Sequence, residues 1–214
     1  MRDAVLIFDL DGTLFLTESV TVPAVQDSFR EARIEVPAEA FILNFIGSPM
    51  SELAQWVQSV CGNRDADAIM RQIDGKEMAL VESIGQLFPN VSDVLRSLRK
   101  DYRTLAICTN GGPDYANRVI DSQGIRQFFD VVRCRTSHED NKPAMVAEII
   151  GNAGLTEGVV TGDRREDVEA ARRNSLRAIG AGYGYGSEDE LEDADAVAHA
   201  ASEIPNLVSQ LLGN

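Results

Sequence analysis

A three-layer α/β fold, with helices over both faces of a parallel sheet, is predicted by two observations: short, nearly continuous apolar runs recur along the chain, and helical patterns separate them. A third, the loss of that alternation between residues 15 and 84, predicts a helical insertion after the first strand. The first strand is Ala4-Val5-Leu6-Ile7-Phe8, apolar throughout and suited to burial on both faces. In the insertion, helical periodicity without a convincing strand covers residues 22–32, 38–45, 50–60 and 67–83, with hinge strands expected near 16–19 and 85–89. The domain reading is a helical cap at 16–85 and an α/β core made of 1–15 and 86–214. Asn90 is expected to cap a helix whose third position is the acidic Asp93. Residues 103–108 form the next strand, Pro113 suits the first turn of a helix running to Ser122, and Gly124 is a natural stop for it. Val131-Val132, Gly158-Val159-Val160-Thr161, residues 177–181 and Ala196-Val197-Ala198 are the remaining strands, with a helix beginning around 143–147. Gly182-Tyr183-Gly184-Tyr185-Gly186, the most biased segment, reads first as a mobile loop, with an approach to the site as the alternative.

At 214 residues the chain can bury a substantial core without disulfides or structural metals. A net charge of -14 with no long basic run argues against nonspecific binding to nucleic acid or an anionic membrane. The pairs Arg164-Arg165 and Arg172-Arg173 are too short to change this, and their outward-facing members read as solvated helix residues. The cysteines Cys61, Cys108 and Cys134 are odd in number and form no CxxC, which suits a reducing cytoplasm. Met1 to Asp3 leads straight into the first apolar run, with no signal-peptide h-region and no stretch approaching the roughly 18 apolar residues of a membrane span. A cytoplasmic monomer or homodimer without a membrane partner is expected.

Chemistry concentrates where the predicted strands end, the edge at which ligands gather in a parallel α/β sheet. Asp9-Leu10-Asp11-Gly12-Thr13 places two carboxylates two positions apart as the first strand runs out. One carboxylate can attack phosphorus and hold the phosphoryl group as an acyl phosphate, while the other protonates the leaving oxygen and later deprotonates water. Thr109 and Asn110 follow the second strand, Lys142 stands before a helix, and Asp163 follows the 158–161 strand. Taken singly these are ordinary features: Asp-Gly is a common turn pair, and acidic residues at i and i+4 suit a first helical turn. His138 and His199 are isolated and are assigned no role.

Taken in order, these residues resemble the four signature motifs of the haloacid dehalogenase-like hydrolase superfamily, in its subgroup with a helical cap inserted after the first strand. Asp9-Leu10-Asp11-Gly12-Thr13 matches DxDGT, Thr109-Asn110 the Ser/Thr motif, Lys142-Pro143 the lysine motif, and Gly162-Asp163 to Asp167 GDxxxD. The resemblance implies a Rossmann-like αβα core. It implies Asp9 as nucleophile and Mg²⁺ ligand, and Asp11 as general acid and base whose backbone carbonyl faces the metal. Asp163 and Asp167 complete the implied Mg²⁺ site, and Lys142 is the catalytic cation. Thr109 would donate its hydroxyl to the phosphate, joined by N–H groups of Leu10, Asn110 and Gly111. Charge explains the demand for cations: each like-charge contact at about 4 Å opposes dianion binding by roughly 4 kcal/mol at an effective dielectric of 20. Mg²⁺ and Lys142 would offset this and stabilise the transferring oxygens.

Asp11 argues against the dehalogenase and ATPase branches of the superfamily, leaving phosphoryl transfer. Phe45-Ile46-Gly47-Ser48-Pro49 resembles the cap loop that dips toward the site, so Gly47 and Ser48 are expected to contact substrate. The nearest branch is phosphoglycolate phosphatase-like, although Lys142-Pro143 lacks the usual second Pro and Asn174-Ser175 replaces a frequent small-residue pair. The expected substrate is a small phosphorylated metabolite. The alternatives are a phosphosugar mutase of β-phosphoglucomutase type, whose cap-loop arginine is missing here, and a non-catalytic binding protein on the same fold; a phosphonate hydrolase would need a cap lysine, and Lys76 reads instead with Glu77 as an exposed helix pair.

Overall fold

The computed structural model describes residues 1–213. Six strands form one parallel sheet in the order β3-β2-β1-β4-β5-β6, from β1 (Arg2–Phe8), β2 (Tyr102–Thr109), β3 (Val131–Cys134), β4 (Gly158–Gly162), β5 (Arg177–Ala181) and β6 (Ala196–Ala198). The chain winds outward from β1 through β2 to β3 and then returns to place β4 on the other flank of β1. This reversal of direction opens a crevice beyond the carboxyl ends of β1 and β4, the position that ligands favour in such sheets.

The apolar runs read as buried strands alternate faces as the pleat requires. Leu6 and Phe8 pack in one layer with Leu95, Leu98 and Ile204. Val5 and Ile7 pack in the other with Val146, Ile149 and Val168. The first layer is roofed by α5 (Val91–Asp101), α6 (Pro113–Ser122) and α10 (Ile204–Leu211), the second by α7 (Lys142–Ala153) and α8 (Arg165–Arg173), with the short α9 (Glu188–Leu191) beside α8.

Between β1 and α5 the chain is helical: α1 (Glu18–Ala32), α2 (Glu39–Ile42), α3 (Met50–Val60) and α4 (Ala66–Ser83). These helices enclose a core of their own, built from Val25, Phe29, Ile42, Val57 and Ile73 and lidded by Trp56 stacked on Phe29 with centroids 5.0 Å apart. The two crossings into this segment meet in a single antiparallel bridge, Phe15 to Leu87, flanked by Leu16 N–H to Gln86 O at 2.8 Å and Phe88 N–H to Leu14 O at 2.9 Å. The first crossing therefore lies slightly earlier than the expected 16–19, because α1 begins at Glu18 and runs through Pro23. Asn90 stands at the start of α5 as expected but does not cap it through its side chain; its φ of 69° turns the chain into the helix by backbone conformation instead. Cys61, Cys108 and Cys134 are buried and free. Among the described residues no helix is long and apolar enough to cross a membrane.

Candidate active site

Asp9 is held just past β1 by its N–H, which donates to Thr161 O on β4 at 2.9 Å. The loop beyond it curls back on itself, Leu10 O accepting from the N–H groups of Leu14 and Phe15 at 2.9 Å each. Asp163 follows β4 directly, and Asp167 lies in the first turn of α8, where its Oδ2 accepts from Arg164 N–H at 3.2 Å. Lys142 opens α7, whose start is capped by Asn141 accepting from Ala144 N–H at 3.1 Å. Distant stretches of sequence thus bring Asp9, Asp163 and Asp167 together, with carboxylate oxygens within 4.8 Å of one another. Lys142 Nζ joins them at 2.8 Å from Asp9 Oδ2 and 2.6 Å from Asp167 Oδ1, its side chain only 1% exposed.

Three buried carboxylates around one ammonium leave a net negative charge out of water. Burial pushes Asp9, Asp163 and Asp167 each up to about 7, with Lys142 pulling against the rise in all three. Burial also opposes the charge on Lys142, but Asp167 and Asp9 outweigh it and hold the ammonium well above the usual lysine range. Among the described residues Asp163 Oδ1 has no hydrogen-bond partner, and Asp9 Oδ2 meets only the Lys142 charge. Uncompensated buried carboxylate oxygens in an all-oxygen cluster fit a hard divalent cation, which supplies the missing positive charge.

Asp11 stands apart from this cluster. Its Oδ1 accepts from Thr17 Oγ1 at 2.8 Å and from Tyr115 Oη at 2.6 Å, turning the carboxyl toward the helical segment. Burial raises its pKa, opposed by those two hydroxyls, and burial holds the Tyr115 phenol well above its ordinary value, so that it remains a donor. Both of these bonds fall on Oδ1.

A family model for haloacid dehalogenase-like hydrolases matches residues 6–181, which span every strand end just described except β6. The chain belongs to this family. This hydrolase is 28% identical to a 5'-nucleotidase of Pseudomonas aeruginosa over 97% of both chains. It is 25% identical to a phosphoglycolate phosphatase of Pectobacterium atrosepticum, over 95% of this chain and 91% of the other. The crystal structure of a predicted phosphoglycolate phosphatase from Haemophilus somnus shares its fold with a TM-score of 0.86 at 21% identity, covering 97% of this chain and 99% of that one.

Around the hydrolase's cavity, the remaining residues singled out from sequence divide into two groups. Gly47, Ser48, Asn110 and Gly111 all line the cavity that Asp11 faces. Gly111 N–H, however, donates to Thr109 Oγ1 at 2.9 Å, closing a local turn in place of an outward-pointing donor. The Asn110 amide reaches across to the helical segment, donating to Gly47 O at 2.9 Å and to Glu166 Oε2 at 2.8 Å. Lys76 lies on the outer surface, paired with Glu31 at 2.6 Å and away from the cavity.

Several residues of the hydrolase's site escape a motif reading. Arg164, one of the four arginines of which only the outward-facing members are expected to be solvated, turns inward and inserts under the 43–47 loop: its Nε donates to Ile46 O at 3.0 Å, one terminal nitrogen reaches Ile46 O at 2.6 Å and Leu43 O at 3.0 Å, and the other pairs with Glu190 at 3.1 Å. Its position beside Asp163 in GDxxxD was the available signal. The 182–186 loop, read first as mobile, packs on the site: Tyr185 N–H donates to Asp163 Oδ2 at 2.8 Å, and a Cβ on Gly184 would lie 2.4 Å from the Asp163 Cβ. The alternation of Gly with Tyr lets backbone press against the carboxylate while the rings pack outward on Phe88. Tyr115, Thr17 and Thr21 carried no signal in the sequence, and Glu77, read with Lys76 as an exposed helix pair, is buried against Thr21.

Proposed function

We propose that this hydrolase is a Mg²⁺-dependent phosphatase that cleaves a small phosphorylated metabolite through a phosphoryl group held on Asp9. The observation that carries the reading is the division of labour between two carboxylates two residues apart. Asp9 sits against Lys142 in an acidic cluster short of positive charge, while Asp11 turns into the cavity under two hydroxyl donors. Phosphatase relatives at 25–28% identity over nearly the whole chain support the same class.

In the first half-reaction an Asp9 carboxylate oxygen attacks phosphorus, the bond from phosphorus to the ester oxygen breaks, and Asp11 delivers its proton to that oxygen as the alcohol leaves. In the second, the Asp11 carboxylate takes a proton from water, the oxygen attacks phosphorus, and inorganic phosphate departs with Asp9 restored. Lys142 holds Asp9 in place and offsets charge on the phosphoryl oxygens. Bound Mg²⁺, for which Asp9, Asp163 and Asp167 with the Asp11 backbone carbonyl are the proposed ligands, supplies further charge neutralisation. The 16–85 segment acts as a cap, and Arg164 and Asn110 hold its 43–48 loop over the cavity so that the acyl phosphate meets only the water Asp11 activates.

The test is phosphate release from p-nitrophenyl phosphate, 2-phosphoglycolate, a nucleoside 5'-monophosphate and sugar phosphates, with and without Mg²⁺. Mg²⁺-dependent release is expected, and no release from any of them overturns the reading. Conversion of a sugar phosphate into its isomer without release would point to phosphoryl transfer between hydroxyls instead.

A further inference from the structure

A buried carboxylate that the phosphatase mechanism does not use faces the same cavity as Asp11. Glu77, on α4, is 5% exposed and accepts at Oε1 from the hydroxyl of Thr21 on α1. Among the described residues Oε2 has no hydrogen-bond partner, and Glu77 and Thr21 both line the cavity of about 80 Å³ that lies between Asp11 and the helices. Apart from the Thr17 and Ser48 hydroxyls and Gly47, the rest of the helical wall is apolar, formed by Phe45, Ile46, Met50 and Leu53.

We propose that this cavity is a leaving-group pocket for a small, uncharged, hydroxyl-bearing alcohol, read by Glu77 and Thr21, and that it rejects leaving groups bearing a carboxylate or a second phosphate. The proposal rests on the phosphatase reading and adds to it the substrate class. Glu77 is buried as a residue, and its Oε2 is an acceptor that no described protein group fills; a ligand hydroxyl is the complement it lacks. An anionic leaving group meets the opposite situation. No Lys, Arg or His is among the residues lining the cavity, whereas Asp11 and Glu77 both are. The cations just outside are committed elsewhere: Arg164 to the 43–46 carbonyls and Glu190, Arg135 to Asn110 Oδ1 and His138 O, and Lys76 to Glu31. Reading a carboxylate here would require breaking one of those sets, and apolar walls make the repulsion from the Glu77 carboxylate stronger than it would be in water.

The experiment compares kcat/KM for glycerol 3-phosphate and 3-phosphoglycerate, which differ by a hydroxymethyl group against a carboxylate, with p-nitrophenyl phosphate measured in parallel. The wild-type enzyme is expected to favour glycerol 3-phosphate by about tenfold or more, and Glu77→Gln, which keeps the shape and removes the charge, to narrow that ratio by about tenfold. A wild-type ratio at or below unity, or an unchanged ratio in folded Glu77→Gln, overturns the proposal. Should the variant fail to fold, the wild-type ratio decides alone. Hydrolysis of p-nitrophenyl phosphate with the wrong ratio overturns the pocket and spares the phosphatase, whereas no hydrolysis of any compound overturns the phosphatase reading beneath it.

Discussion

The two walls of the cavity are built on opposite principles. The sheet wall, lined by Asp11, Asn110, Gly111, Gly112 and Tyr115, is backed by a charge network: Asp9, Asp163, Asp167 and Lys142 are each 3% exposed or less, and Lys142 ties Asp9 and Asp167 together across ion pairs of 2.8 and 2.6 Å. The helical wall is mostly apolar surface with one carboxylate, and it reaches the sheet wall through hydrogen bonds from Asn110 and Arg164 to loop carbonyls. Moving a charge in the first wall disturbs every partner, so it is suited to chemistry that must not vary. The second wall can change side chains at little cost to the first, so it is suited to choosing the leaving group.

The sharpest way to break this contrast is within the sheet wall. Asp9→Asn should lower turnover by a factor of about 10⁴ or more while circular dichroism shows an intact fold, because the amide keeps the shape and loses the nucleophile. Full activity in that variant would remove Asp9 from the chemistry. Lys142→Ala leaves Asp9 and Asp167 buried without their cation, and urea unfolding without metal should show a loss of about 3–5 kcal/mol, as expected when one partner of a buried pair is deleted. A loss below about 1 kcal/mol would mean the network does not hold the wall together.

The same contrast explains what the sequence could reveal. On the sheet side Asp9, Thr109 and Asp163 each stand at a strand end and are legible from an apolar run and the polar residue there, whereas Lys142 and Asp167 stand in the first turns of α7 and α8. The helical wall is legible only as periodicity. Its contacts join residues far apart in sequence, Asn110 to Gly47 across 63 positions and Arg164 to Ile46 across 118, and no local pattern announces them. The 182–186 loop misled for a related reason: glycine signals both freedom and close approach, and only the position of Asp163 shows that close approach is the use made of it here. Asn90 fits the composition of a cap while its left-handed backbone makes the turn without one.

Within the helical wall, Glu77 gives a pH-dependent test of how dry the cavity is. Burial is the main cause that raises its pKa from 4.5 to about 7; negative charge on Asp11 across the cavity and Asp74 on the same helix adds to the rise, and the Thr21 hydroxyl opposes it. Between those values the native protein keeps a proton that the unfolded chain releases, so the contribution of Glu77 to stability is intact below pH 4.5, falls as pH rises, and levels off above pH 7. The loss amounts to at most about 3 kcal/mol. Urea unfolding of the wild type and Glu77→Gln at pH 5, 6, 7 and 8 should show the variant gaining relative stability through that window. A difference constant across the series would mean that water reaches the carboxylate.

The smallest effect is expected where the two walls meet. Gly47 has a φ of 83°, and an added Cβ would lie 3.2 Å from Arg164 Cγ, so Gly47→Ala introduces left-handed strain of about 1–2 kcal/mol and presses on the side chain that holds the loop. The strain can be relieved by lifting the loop, which enlarges the cavity without touching Asp9, Asp163 or Asp167. Leaving-group binding should therefore weaken by about tenfold, read as a rise in KM, while the Mg²⁺ concentration giving half-maximal activity stays where it was. If metal dependence shifts as much as KM does, Arg164 transmits the displacement to the neighbouring Asp163, and the two walls operate as a single unit.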